Sequence, residues 1–98
     1  MRKRLEPIHP GEILREEFLM PLGISINRLA REIGVSPARI SDIVNGRRGI
    51  SADTALRLGR FFGVSPELWA GLQSDYDLRV ARQKVGPEID QRIQPYAA

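Results

Sequence analysis

Apolar residues recur along this chain at helical spacing in five successive stretches, and nowhere do they alternate long enough to suggest a strand. Behind His9-Pro10-Gly11, the residues Ile13, Leu14 and Phe18 give a partly apolar stripe. The acids Glu12, Glu16 and Glu17 lie toward its start, where the helix dipole favours negative charge. Pro21 and Gly23 are expected to end this first helix. Ile26, Leu29, Ala30 and Ile33 then fall at i, i+3, i+4 and i+7, a second helix capped by Ser25 and stopped by Gly34. Ser36-Pro37 opens a third, with a capping hydroxyl followed by a proline at a position where its missing N–H costs nothing. Ile40, Ile43 and Val44 face inward there, before the turn signal Asn45-Gly46.

Ser51 caps a fourth helix, with Asp53 and Thr54 in its first turn. Ala55, Leu56, Leu58, Gly59 and Phe62 are available to the core, and Gly63 is its stop. Ser65-Pro66 repeats the cap-proline device and opens a fifth, longer helix carrying Leu68, Trp69, Leu72, Tyr76 and Val80. Gly86-Pro87 is expected to break that helix. The pattern thus predicts one all-α domain over residues 1–98. Its fifth helix covers about residues 66–84, and a C-terminal tail covers 86–98.

Composition narrows the class. With 42% hydrophobic and 28% charged residues, the chain is an ordinary globular domain. It contains no cysteine, so the core holds without disulfides. No stretch approaches the roughly 18 apolar residues of a membrane span. The basic start is followed by residues too polar for a signal-peptide core, and the expectation is a soluble cytoplasmic protein. The net charge is only +3, but it is unevenly placed. Between Ser25 and Ile50, Arg28, Arg31, Arg39, Arg47 and Arg48 face only Glu32 and Asp42, whereas charges balance from Ser51 onward. The extreme N-terminus adds Arg2, Lys3 and Arg4. Arginine is the side chain suited to forked contacts with phosphate and guanine.

The pair of short helices around Gly34 is the informative constellation. Neither is long enough to be stable alone, so each depends on the other for packing. Two helices joined by a tight turn cross steeply and let the second project. A projecting helix with small or polar outward residues fits the major groove. Ala30 supplies the small residue at the crossing, Gly34 the turn, and Ile33, Ile40 and Ile43 the buried positions. Residues 25–45 therefore resemble the helix-turn-helix of phage-repressor-like regulators.

The segments "HPGEILREEFL", "VSPARISDIVNGRRGISADTALRLGRFFG" and "SPELWAGLQSDYDLRVAR" extend the likeness over almost the whole chain. Through them the sequence resembles HigA-type antitoxins, the addiction-module antidotes of the XRE helix-turn-helix family. The resemblance implies a five-helix DNA-binding domain whose second and third helices form the motif. It further implies a homodimer that represses its own operon at palindromic operator DNA and neutralises a HigB-type toxin, an mRNA endonuclease of RelE-like fold. Carried over by position, Ser36, Ala38, Arg39, Ser41, Asp42 and Asn45 face the bases, with Arg39 the first choice for guanine. Asn27, Arg28, Arg47 and Arg48 grip phosphates. A single recognition helix reads few base pairs, so dimerisation is expected; the stripe Trp69, Leu72, Tyr76 and Val80 is divided between the chain's own core and a dimer interface, and all four are interface candidates.

Other chemistries find less support. His9 is the sole histidine and has no ligand cluster around it, so no metal or cofactor is expected. Glu16/Glu17 and Asp75/Asp77 lack any nucleophile or base, and solvated helix faces explain them better than catalysis. Two rivals stay open at this point: a free-standing regulator of the same family, and a protein-binding module with a vestigial motif.

Overall fold

The computed structural model describes residues 6–97, and all regular structure among them is helical. The basic residues Arg2, Lys3 and Arg4 lie outside the described residues. Helix α1 spans residues 10–22 in three continuous pieces: Pro10–Ile13, a π-helical stretch Leu14–Leu19, and Met20–Leu22. Then follow α2 (Ile26–Ile33), α3 (Pro37–Val44), α4 (Ala52–Phe62) and α5 (Pro66–Arg92).

Local chemistry sets these boundaries. Ser25, Ser36, Ser51 and Ser65 each accept a hydrogen bond from a backbone N–H in the first turn of the helix they precede, at 3.0–3.2 Å. His9 performs the same service for α1, its Nδ1 accepting from Gly11 N–H at 2.9 Å. Gly34 and Gly63 close α2 and α4 in the left-handed conformation, at φ +74° and +70°.

Leu14, Leu29, Ile40, Ile43, Leu58 and Trp69 are completely enclosed, joined by Leu19, Ala30, Ile33, Ile50 and Ala55. Of the inward positions read from the apolar periodicity of α2 and α3, Leu29, Ala30, Ile33, Ile40 and Ile43 fill the core, and Ile26 and Val44 pack half-buried against it. Backbones also meet closely. Gly11 lies so near the end of α3 that a Cβ built on it would sit 1.7 Å from the Ile43 carbonyl oxygen.

Leu56, expected to be available to the core, is exposed on α4. Three further expectations are corrected. Pro21 does not end α1; the helix runs through it and stops at Gly23, φ +67°. In the wide turn just before it, Met20 N–H bonds back to the Arg15 carbonyl rather than to that of Glu16. Such a turn relieves the clash that a proline ring makes with the carbonyl four residues back. Gly86-Pro87 does not break α5, which continues to Arg92. Gly86 has no Cβ to collide with the following proline ring, and Gln83 is exposed, so water can serve the carbonyl that Pro87 leaves without a donor. The tail is correspondingly short, beginning at the extended Ile93.

The third correction concerns the fifth helix. Trp69 is fully buried within its own chain, with Phe18 and Phe62 at ring-centroid distances of 4.9 and 6.4 Å. Leu72 packs against the same core, and Tyr76 meets His9 edge-on at 4.9 Å. Trp69 is therefore unavailable to a partner, and Leu72, Tyr76 and Val80 lie on its inward side of the helix, each half-buried. The apolar residues that α5 leaves exposed include Leu78, Val85 and Ile89, on the opposite side. Seven- and four-residue steps put these three in one stripe. Among the described residues, no helix is long and apolar enough to cross a membrane.

Candidate nucleic-acid interface

Helices α2 and α3 pack through Leu29, Ala30, Ile33, Ile40 and Ile43, all buried, and the turn at Gly34 brings the start of α3 to the surface. Burial of one face of α3 fixes the other toward solvent. Ser36, Ala38 and Asn45 are exposed, while Ser41 and Asp42 are half-buried. Ser36 is committed to its cap, with Arg39 N–H at 3.1 Å from its Oγ. Asn45 turns its amide back, donating to the Ser41 carbonyl at 2.8 Å.

Two shallow clefts flank the projecting helix. One, of about 430 Å³, is lined by Ser25, Ile26 and Asn27 from the start of α2 and by Pro37, Ala38 and Ser41 from α3. Helix N-termini present unpaired N–H groups and partial positive charge, the two things a phosphate needs. The other, of about 420 Å³, is lined by Arg39, Arg48, Gly49, Ser51, Asp53, Thr54 and Arg57. Most residues proposed from sequence for bases and phosphates are thus gathered on or beside α3. Arg28 is exposed and lies 3.9 Å from Glu32, one turn along the same helix.

The arginines are held rather than loose. The backbone N–H groups of Arg47 and Arg48 both bond to the Asp42 carbonyl, at 2.8 and 3.2 Å, which fixes the two cations just past the end of α3. The Arg47 guanidinium also lies 3.3 Å from the Asp42 carboxylate. Arg39 folds toward the first turn of α4, where its Nη1 is 3.5 Å from both Asp53 Oδ1 and Thr54 Oγ1. Asp53 accepts from Arg57 Nε at 2.7 Å, and this bond, with the nearby Arg57 and Arg39 charges, holds its carboxyl below the usual carboxylate range. Arg57 Nη1 in turn donates to the Ile33 carbonyl at 2.7 Å, tying the turn of the motif to α4.

Sequence reasoning missed Arg57 and the bridging role of Asp53. Their four-residue spacing signals the pair within α4, but nothing in the pattern announces that Arg57 reaches back across 24 positions to a backbone carbonyl. It also treated Gly11 as a mere lead-in to α1, although that glycine lets α1 touch α3.

A short helix projecting past a glycine turn, buried on one side and flanked by arginines and helix N-termini, defines a helix-turn-helix domain of the DNA-reading kind. The helix-turn-helix family model matches residues 14–69. Virulence-associated protein I of Dichelobacter nodosus is 52% identical over 82 residues, 84% of this chain and 76% of that protein. Antitoxin HigA-1 of Vibrio cholerae is 36% identical over 89 residues, 90% of this chain and 84% of its own length. The solved structure of Pseudomonas aeruginosa antitoxin HigA with higBA promoter superposes with a TM-score of 0.91 at 51% identity, covering 94% of this chain and all of that one. The chain belongs to the helix-turn-helix family and, within it, to the HigA-type antitoxins.

Proposed function

We propose that this protein is the antitoxin and autorepressor of a toxin–antitoxin module. It binds palindromic operator DNA in the cytoplasm as a homodimer and neutralises a HigB-type mRNA endonuclease. The DNA reading is carried by one observation: α3 and its C-terminal cap bring the exposed Ala38 and Asn45 and the half-buried Ser41 and Asp42 to the surface, with a cleft of helix N-termini and a cleft of arginines beside the helix. Likeness to an antitoxin solved with promoter DNA supports the same reading. Arg39 reads a base, while Asn27, Arg28, Arg47 and Arg48 grip phosphates, as the sequence led us to expect. The toxin partner is supported by the antitoxin relatives alone. For the dimer, we replace Trp69 and its neighbours with the exposed stripe Leu78, Val85 and Ile89, which the chain's own core leaves uncovered. Two copies would then present two α3 helices to half-sites about 34 Å apart.

The test couples two measurements on the full chain: co-purification with the product of the adjacent gene, and a gel shift of the DNA upstream of its own gene. A co-purifying small protein together with a salt-sensitive shift supports the proposal. A shift without a partner makes the protein a free-standing regulator, and a partner without a shift makes it a protein-binding module.

A further inference from the structure

We infer that Asp53 is a positioning residue for sequence reading, holding the Arg39 guanidinium by one nitrogen so that its other edge is offered to a base. The inference rests on the reading of α3 as the DNA-facing helix.

Arg39 is the only arginine within α3 and its side chain is one-third exposed, against 63% for Arg47 just past the helix. Both of its contacts, to Asp53 Oδ1 and Thr54 Oγ1, fall on Nη1. The Nε–Nη2 edge takes part in neither. Guanine offers two adjacent acceptors, O6 and N7, in the major groove, and one guanidinium edge with two parallel N–H groups matches them. An arginine anchored at one nitrogen has already lost much of the side-chain freedom that binding would otherwise remove.

An isolated surface ion pair would be too weak to do this. Asp53 is not isolated. The same oxygen that faces Arg39 accepts Arg57 Nε at 2.7 Å, and Arg57 is fastened to the Ile33 carbonyl at 2.7 Å and to that of Gly34 at 3.4 Å. The carboxylate is therefore tied to the turn of the motif independently of Arg39. Thr54, itself buried, adds a second acceptor on a backbone that Ser51 caps. The position of the Arg39 head is thus referenced to the turn between α2 and α3, and not only to its own flexible stem.

Asp53 has a second effect of opposite sign. It places a negative charge in a cleft with Arg39, Arg48 and Arg57, and so lowers the attraction of that cleft for any phosphate. Its removal should loosen sequence discrimination while strengthening binding to unrelated DNA. A purely structural role cannot move those two quantities in opposite directions.

The experiment compares the full chain with Asp53→Asn, Asp53→Glu and Arg39→Ala. Each is titrated against the duplex upstream of its own gene, against every single-base-pair substitution of it, and against a scrambled duplex. Arg39→Ala should flatten the preference at one G·C pair per half-site. Asp53→Asn should lower the preference at that same pair by about tenfold, bind the scrambled duplex as tightly or a few-fold more tightly, and remain fully folded at the assay temperature with only a small fall in melting temperature, because the lost ion pair is exposed. Asp53→Glu should recover part of the preference. The inference is overturned if Asp53→Asn keeps full discrimination at the Arg39 position, or weakens all duplexes by one common factor. It also fails if Arg39→Ala alters no single position. If the unmodified chain binds its upstream duplex no better than the scrambled one, the DNA reading of α3 falls first and takes this inference with it.

Discussion

Gly11→Ala tests the close approach on which the placement of α3 depends. An added Cβ would stand 1.7 Å from the Ile43 carbonyl oxygen, 2.5 Å from its carbon and 3.0 Å from the Val44 Cα. A carbon resting against a carbonyl oxygen settles near 3.3 Å, so α1 and α3 must part by roughly 1.5 Å. Neither side can yield by rotating a side chain, because all three atoms belong to backbone. Overfilling a packed site costs about 1–3 kcal/mol, and a backbone wedge lies at the upper end. Alanine's better helix preference returns about 0.5–1 kcal/mol. The net loss is then about 2 kcal/mol or somewhat more. For a chain of this size that is a fall in melting temperature of about 10–20 °C. Because Val44 leads directly into Asn45, Arg47 and Arg48, the displaced α3 should also bind the operator more weakly at temperatures where the variant is fully folded. Thermal unfolding followed by far-ultraviolet circular dichroism measures the first effect, and operator titration the second. Gly71→Ala is the control: that glycine is exposed within α5 with nothing within 4 Å of its would-be Cβ, so the change should leave stability equal or raised by up to about 1 kcal/mol. A Gly11→Ala protein melting within about 3 °C of the unmodified chain would refute the reasoning.

Other outcomes follow from the same contacts. Arg39→Ala should relax preference at one position at a cost of about 1–3 kcal/mol. Arg47→Ala should instead weaken binding to all sequences and reduce the salt slope by about one; identical effects would end that division of roles. Asp42→Asn releases Arg47 from a carboxylate 3.3 Å away, and a titration with unrelated duplex DNA should show tighter binding. His9 has its pKa lowered, chiefly by burial and against the opposing pull of Asp77. Its neutral form is favoured in the folded state, and its Nδ1 must stay unprotonated to accept from Gly11. Stability from this group is therefore complete above the ordinary histidine pKa of about 6.5 and is lost as pH falls through the lower folded value. Melting curves should show that acid-side loss in the unmodified chain and a smaller one in His9→Asn, which keeps a capping side chain that does not titrate. Leu78→Asp with Val85→Asp should yield monomers by light scattering and a weaker operator complex, with the melting behaviour of the isolated domain little changed.

The helices were legible because their signals are local. Each serine cap, and the glycine stops at Gly34 and Gly63, can be read within a few residues, and the periodicity of Ile26, Leu29, Ala30 and Ile33 names the face they bury. Proline misled at both ends for a shared reason. At Pro21 a widened turn, and at Pro87 a preceding glycine with an exposed surface, removed the penalties that normally end a helix. The division of the Trp69 stripe between core and interface was not legible, because a stripe on a helix does not reveal which side meets the body. Only the positions of Phe18 and Phe62, brought in from two other helices, decide that. The outward residues of α3 were foreseen, but what holds Arg39 was not, since Asp53 and Arg57 act through contacts spanning 14 to 24 positions of chain.

The way the helices begin has a consequence for how such a protein can change its target. Its helix starts are held by Ser25, Ser36, Ser51 and Ser65, and its shape by the enclosed aliphatic residues, so Ala38 contributes to neither. The reading surface is in this sense a replaceable fitting on a separately fastened frame. A descendant could exchange Ala38 to address a different operator and keep the docking angle. Exchange at Arg39 is of another kind: its anchor lies on a different helix, so a new reader there calls for a matching change at Asp53. Drift at position 38 can proceed alone, whereas positions 39 and 53 should change together.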